Sequence, residues 1–215
     1  MMISSLKIFF NSIKKRGLIN TFQFVFYEYL FDIVHNVDTK GYMDLDNMQT
    51  VSDKQYATKY QGSNYFILNK FFKKYKKDVD NSTIIDFGSG KGRILIMAMK
   101  YNVKKCIGVE FAKELITTSK LNIDKYKQNN NIKTEVELIF DSALNYEFNE
   151  KENILFFYNP FNETILGPIL DKVLKLKTDP MIVYINPLHK ELFNVDFVEI
   201  DNFQDDLIVY RKRLK

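Results

Sequence analysis

Residues 83–93 read Thr83-Ile84-Ile85-Asp86-Phe87-Gly88-Ser89-Gly90-Lys91-Gly92-Arg93, and this stretch decides the fold. Thr83, Ile84 and Ile85 are β-branched, as a short buried strand requires. The glycines at 88, 90 and 92 break that pattern before an amphipathic run begins at Arg93. The expectation is a strand, a tight glycine turn and a helix. Glycine reaches positive φ without strain, and lacking Cβ it lets a ligand lie directly on the backbone at the helix N-terminus. A ligand site at the strand's carboxyl end follows.

Working outward, a second strand over residues 105–110 follows a helix over 94–101 and ends in Glu110, 22 positions after Gly88. Nucleotide-binding α/β folds place an acid on a ribose diol at about that offset. The glycine spacing then separates the nucleotides. Dinucleotide folds read G-x-G-x-x-G around a pyrophosphate, whereas here G-x-G-x-G follows an acid, Asp86, which suits a ligand carrying an ammonium group. In these residues the chain resembles the class I, seven-strand S-adenosylmethionine-dependent methyltransferases. The resemblance implies that Asp86 and the turn residues Gly88, Ser89, Gly90 and Gly92 hold the methionine end of the cofactor, and that Glu110 holds the ribose hydroxyls. A glycine turn that serves packing alone is the bland alternative.

Downstream, residues 113–127 read as a crossover helix with Leu115, Ile116, Leu121 and Ile123 inward, and 128–131 as a turn. Val136, Leu138 and Phe140 alternate with Glu135 and Glu137 in a strand that ends at Asp141-Ser142-Ala143. The same resemblance makes Asp141 the contact to the adenine amino group; a strand-end cap is the other reading. Residues 154–158 are wholly apolar, as for a central strand covered on both faces, and run into Asn159-Pro160-Phe161. Amino-group methyltransferases of the resembling class carry Asn or Asp, Pro, Pro, then Tyr or Phe here. Asn159, Pro160 and Phe161 are thus the catalytic candidates, although the second proline is lacking and a plain strand-ending turn fits as well. A helix over 164–175, a strand over 181–185 and two strands over 197–200 and 207–210 complete the pattern.

Seven strands predict an α/β fold, a Rossmann-like mixed seven-stranded sheet with helices on both faces, in residues 62–215. Residues 1–61 read as an N-terminal helical cap and linker. Two helical pieces, residues 3–15 and 19–34, are divided at Gly17, and the second carries Phe22, Val25, Phe26, Tyr29, Leu30 and Ile33 along one stripe. So apolar a cap has to cover something. It packs on the catalytic domain as a lid, supports a homodimer, or meets an anionic membrane as a peripheral contact through residues 1–35. A membrane-spanning reading is interrupted by Glu28 and Asp32. The segment 36–61 is polar and irregular, with Asp38 and Thr39 as capping residues and Tyr56 and Tyr60 as candidates to shape an acceptor pocket. A helix over about 64–77 leads back to the glycine stretch.

Composition bounds the rest. With 215 residues and 46% hydrophobic residues the chain fills one domain with an appendage. Cys106 is the one cysteine and stands in a predicted buried strand, which excludes disulfides and thiolate metal sites and points to a reducing, cytoplasmic compartment. Two histidines, His35 and His189, are too few and too far apart in sequence for an expected metal centre. The net charge of +4 is spread along the chain, so a nucleic-acid partner is neither indicated nor excluded. The expected function is methyl transfer from S-adenosyl-L-methionine to an unidentified acceptor, a nitrogen on a protein or small molecule. A cofactor-binding regulator without chemistry is one alternative. An NAD-dependent oxidoreductase is disfavoured by the glycine spacing.

Overall fold

The computed structural model describes residues 17–44, 48–51, 59–151, 153–158, 162–204 and 206–213. The expected helix over 3–15, Tyr56, Asn159, Pro160 and Phe161 lie outside them, and of Tyr60 only the backbone is described. The glycine stretch forms what its residues dictate. Strand β3 (Thr83–Phe87) enters a turn in which Gly88, Gly90 and Gly92 all take positive φ, at 72°, 54° and 83°, and helix α4 (Arg93–Met99) follows. Ahead of it come α1 (Leu18–His35), a short hairpin β1 (Tyr42–Asp44) and β2 (Lys59–Gln61), α2 (Tyr65–Lys74) and the single turn α3 (Lys76–Val79). After it run β4 (Lys105–Glu110), α5 (Lys113–Asn130), β5 (Glu135–Phe140), β6 (Ile154–Tyr158), α6 (Glu163–Lys175), β7 (Met181–Ile185), β8 (Phe197–Asn202) and β9 (Leu207–Lys212).

Seven of these strands make one mixed sheet in the order β5-β4-β3-β6-β7-β9-β8. The five strands from β5 to β7 are parallel, and β9 pairs antiparallel with both β7 and β8. Strand order reverses at β3, so β4 and β6 lie on its two sides. In open α/β sheets ligands bind outside the carboxyl ends of the strands at such a switch point. One sheet face, with Ile84, Cys106, Phe156 and Val183, joins residues of α2, α4 and α5 in one apolar core. The other, with Ile85, Phe87, Ile107 and Phe157, packs on α6 through Ile165, Leu166, Ile169 and Val173. The crossover from β5 to β6 is a 3-10 turn (Ala143–Asn145) rather than an α-helix.

Several local expectations are corrected. Every residue of α4 is buried, so it is no amphipathic helix: it shares one core with the sheet, α2 and α5, and even Arg93 is enclosed. On α5 the inward face is Leu115, Ser119, Asn122, Ile123 and Tyr126, while Leu121 is exposed. That helix also runs through the expected turn at 128–131, because Asn131 is the residue that takes the left-handed cap, φ 51°. The linker over 36–61 is less irregular than expected, since β1 and β2 pair within it.

The cap helix α1 docks, but not through the described side chains of its expected stripe; those of Val25 and Tyr29 lie outside the described ones. It meets the domain through Phe31, whose ring centroid lies 4.0 Å from that of Tyr65, and through the buried Thr21 and Asp32. Phe22, Phe26, Leu30 and Ile33, four of the expected stripe, are exposed, as are Leu18, Ile19 and Val34. The face that turns inward is the one whose carboxylate finds donors there, since an unpaired buried charge is strongly unfavourable. Among the described residues no helix is long and apolar enough to cross a membrane.

Candidate active site

The glycine turn is sewn to the end of β4. Gly88 and Ser89 both donate their backbone N–H to the Val109 carbonyl, at 2.9 and 3.1 Å. Glu110 closes the loop: its Oε2 accepts from the Gly90 N–H at 2.8 Å and its Oε1 from the Ala112 N–H at 2.9 Å. Burial pushes this carboxyl up to about 7, against the backbone N–H groups of Ala112, Gly90 and Phe111, which favour the anion. At Gly92 the backbone leaves no choice of residue, because an added Cβ would sit 2.5 Å from the Ser119 hydroxyl.

Asp86 lies inside β3 on the sheet face covered by α4, and is only 1% exposed. Its Oδ1 is buried without a hydrogen-bond partner, as is the Ser89 hydroxyl. Burial first, and then the Glu110 carboxylate, push Asp86 well above the usual carboxylate range. The turn therefore brings Asp86, Gly88, Ser89, Gly90, Gly92 and Glu110 together. Asp141 follows on the adjacent strand β5, whose Phe140 pairs with Glu110. Its Oδ1 accepts from the Ser142 N–H at 2.7 Å and from the Asn145 side chain at 2.8 Å, a strand-end cap that leaves Oδ2 outside those bonds. Asp141 also lines a groove of about 340 Å³ with Ile107, Val109 and Ile139.

Sequence reasoning missed the layer above the turn. Lys91 donates from Nζ to Asp38 and to the Lys40 carbonyl, both at 3.1 Å. Asn122 of α5 accepts from the Asp38 N–H at 2.9 Å and donates to the carbonyls of Asp38 and Lys91. Arg93 donates through Nε to the Thr39 hydroxyl (3.1 Å), and through its terminal nitrogens to the carbonyls of Thr39 (2.9 Å) and Ser63. The same guanidinium lies 4.4 Å from the Tyr65 ring centre. Behind Thr39, Asp32 accepts from the Thr39 hydroxyl (2.7 Å), the backbone of Thr39 and Lys40, and the Tyr65 hydroxyl (3.1 Å). A chain of charge thus runs from Asp32 through Thr39 to Arg93. One signal was available: an arginine heading the otherwise apolar run Ile94 to Met99 has to be buried, and a buried guanidinium needs acceptors. Further along, residues 48–51 cross the end of β4, with Thr50 bridged to Ala112, the Val51 N–H donated to the Phe111 carbonyl and Met48 packed on Ala112 and Leu115.

At the carboxyl ends of β6 and β7, Glu163 begins α6 while His189 and Glu191 follow β7. The His189 Nδ1 lies 3.4 Å from the Glu163 carboxylate and 3.2 Å from that of Glu191.

Comparison with known proteins now bears on this geometry. A protein-lysine N-methyltransferase of Saccharolobus islandicus (strain REY15A) is 32% identical over 93 residues, 43% of this chain and 55% of that protein. The chain thus spans about half the length of the curated relative it matches. An RNA methyltransferase of Salinibacter ruber, solved with S-adenosyl-L-homocysteine, has a TM-score of 0.53 at 16% identity, covering 70% of this chain and 91% of that one. A methyltransferase of Geobacter sulfurreducens gives 0.52 at 12% identity, covering 69% and 78%. At such identities these two structures speak for the fold alone. The family model described as "Histone methylation protein DOT1" matches residues 43–215, from the first hairpin strand through the glycine turn and the whole sheet. So long a match leaves one conclusion: the chain belongs to the DOT1 methylation family, methyltransferases of the seven-strand class that use S-adenosyl-L-methionine.

Proposed function

We propose that this enzyme methylates the side-chain amine of a protein lysine, and that Asp86, Gly88, Ser89, Gly90, Gly92, Glu110 and Asp141 hold its cofactor. The observation that carries the reading is the unpartnered, buried Oδ1 of Asp86 directly behind a turn of three left-handed glycines. That oxygen fits an ammonium group, and a turn with no Cβ at three positions fits a ligand laid against the backbone. Glu110, on the next strand, suits a diol, and Asp141 keeps one oxygen for an exocyclic amine. The cofactor supplies a methyl group already activated on a sulfonium. The protein's part is then to align an amine behind that methyl and exclude water, for which proximity and orientation contribute about 7–11 kcal/mol.

A protein acceptor is supported by the family description, and lysine by the curated lysine-methylating relative. Glu163 and Glu191 place two carboxylates at the carboxyl ends of β6 and β7, which favours a cationic acceptor segment over a polyanion. Asn159, with the Pro160 carbonyl, is given the role of accepting the hydrogens of the acceptor amine and aiming its lone pair, with Phe161 beside them in sequence. In this reading residues 1–61 form a cap over the cofactor end of the domain 62–215, with the segment 38–40 strapped to Lys91 and Arg93. The buried thiol of Cys106 suits a reducing, cytoplasmic setting.

The test uses methyl-labelled S-adenosylmethionine and a cell lysate separated into protein, nucleic acid and small molecules. Label should enter protein, and prior reductive methylation of the lysate's lysines should abolish the incorporation. Label in nucleic acid, or undiminished labelling of the lysine-blocked lysate, would rule out the lysine reading.

A further inference from the structure

Two carboxyl groups, Asp86 and Glu110, share the enclosure beneath the glycine turn, at 1% and 3% exposure. Their hydrogen-bond inventories differ. Glu110 receives two backbone N–H groups, one on each oxygen, whereas Asp86 Oδ1 receives none. Among the described residues the surroundings provide Asp86 with no counter-charge. From β4 it is faced by Glu110 and by the buried thiol of Cys106, and its register partner Gly108 has no side chain. Strand β6 contributes its register partner Phe156, which carries no charge. The two cations of the turn and α4, Lys91 and Arg93, are spent on segment 38–40 and Ser63.

Two adjacent carboxylates without a cation do not both ionise in an enclosure from which water is excluded. At pH 7.5 the better-donated one, Glu110, carries the negative charge, and Asp86 keeps its proton. An arriving ammonium group reverses this balance, because it brings both a positive charge and three N–H donors to the bare oxygen.

Resting on the assignment of Asp86 to the cofactor's amino group, we propose that the site exchanges a proton for that group: one proton leaves the Asp86–Glu110 pair for each cofactor molecule bound. The carboxylic O–H of Asp86 breaks, its proton goes to solvent, and the carboxylate accepts from the ammonium. Charge in the enclosure is conserved through binding. Affinity consequently tightens by about tenfold per pH unit while the pair still holds the exchangeable proton.

The experiment is calorimetric titration of the full chain with S-adenosylhomocysteine, which carries the same amino-acid end. It is run at pH 7.5 in buffers of widely different ionisation enthalpy and repeated from pH 6 to 8. Asp86→Asn is the paired variant; as a neutral isostere of the protonated side chain it preserves the fold of the unliganded enclosure. Wild type should release about one proton per ligand, and Asp86→Asn should release none and bind at least tenfold more weakly. A wild-type enthalpy that is independent of buffer overturns the exchange, as does equal release from the variant. If the variant loses affinity while wild type releases no proton, Asp86 is a cofactor contact that was already ionised; the exchange fails and the site assignment stands. If the variant binds as wild type and neither protein releases a proton, both fail.

Discussion

Replacing Arg93 by alanine tests whether the cap and the glycine turn form one structure. The guanidinium donates to the Thr39 hydroxyl and to the carbonyls of Thr39 and Ser63, and stacks on Tyr65. It is 3% exposed and sits so close to Gly62 that a Cβ there would approach its Cζ to 2.8 Å. Alanine leaves the acceptors on Thr39 and Ser63 unpaired and removes the buried cation that Thr39 links to Asp32, itself 3% exposed. Each buried acceptor left without its charged donor costs about 1–3 kcal/mol, so a loss of about 3–5 kcal/mol is expected. Lysine keeps the charge but not the fork, so Arg93→Lys should lose roughly half as much. Urea unfolding of the full chain at pH 7 measures both. Asp32→Asn and the double variant complete a cycle, in which a coupling of about 1 kcal/mol or more is expected, since the two groups share Thr39. A loss below about 1 kcal/mol for Arg93→Ala, or strict additivity, would refute the reasoning.

Three other perturbations follow from the site. Gly92→Ala has to take φ near 83° with its Cβ 2.5 Å from the Ser119 hydroxyl, so thermal unfolding should show a loss of about 1–3 kcal/mol and calorimetry a weaker cofactor complex; unchanged values for both would contradict the turn geometry. Glu110 has a carboxyl raised from 4.5 to about 7 in the folded, unliganded protein. The folded state therefore keeps a proton that the unfolded chain gives up, and the contribution of Glu110 to stability is full below about pH 4.5, falls as pH rises to about 7, and is constant above. The fall is on the order of 3 kcal/mol, read as the pH-dependent part of the difference between wild type and Glu110→Gln, and a difference that grows more favourable to wild type with rising pH would be the wrong sign. Asn159→Ala should leave cofactor affinity intact but slow single-turnover methylation on the order of 100-fold, whereas loss of binding in a folded variant would move Asn159 to the cofactor.

The sheet was legible because its grammar is local. An apolar strand, a glycine turn and an acid at the end of the next strand each declare themselves within a few residues, and β3, β4 and Glu110 stand where that reading puts them. Helix faces were harder. α1 carries apolar residues beyond its stripe as well, so the stripe does not mark the inward side, and the docked face is chosen by Asp32, Thr21 and Phe31 instead. On α5 the polar Ser119 and Asn122 point inward because Gly92 and the 38–40 segment need close approach and hydrogen bonds, and Leu121 is left outside. The layer over the site was hidden for a different reason. Lys91 with Asp38, and Arg93 with Thr39, pair over more than fifty positions of chain, and no local pattern encodes a partner at that separation.

The most direct test of the account is the identity of the methylated residue. Full-length protein is incubated with methyl-labelled S-adenosylmethionine and the protein fraction of a lysate, and the labelled product is hydrolysed to amino acids. The account predicts label on methylated lysine, with Asp86→Asn and Glu110→Ala both reduced in proportion to their loss of cofactor. Label on any other amino acid, or equal labelling by the two variants, would contradict it.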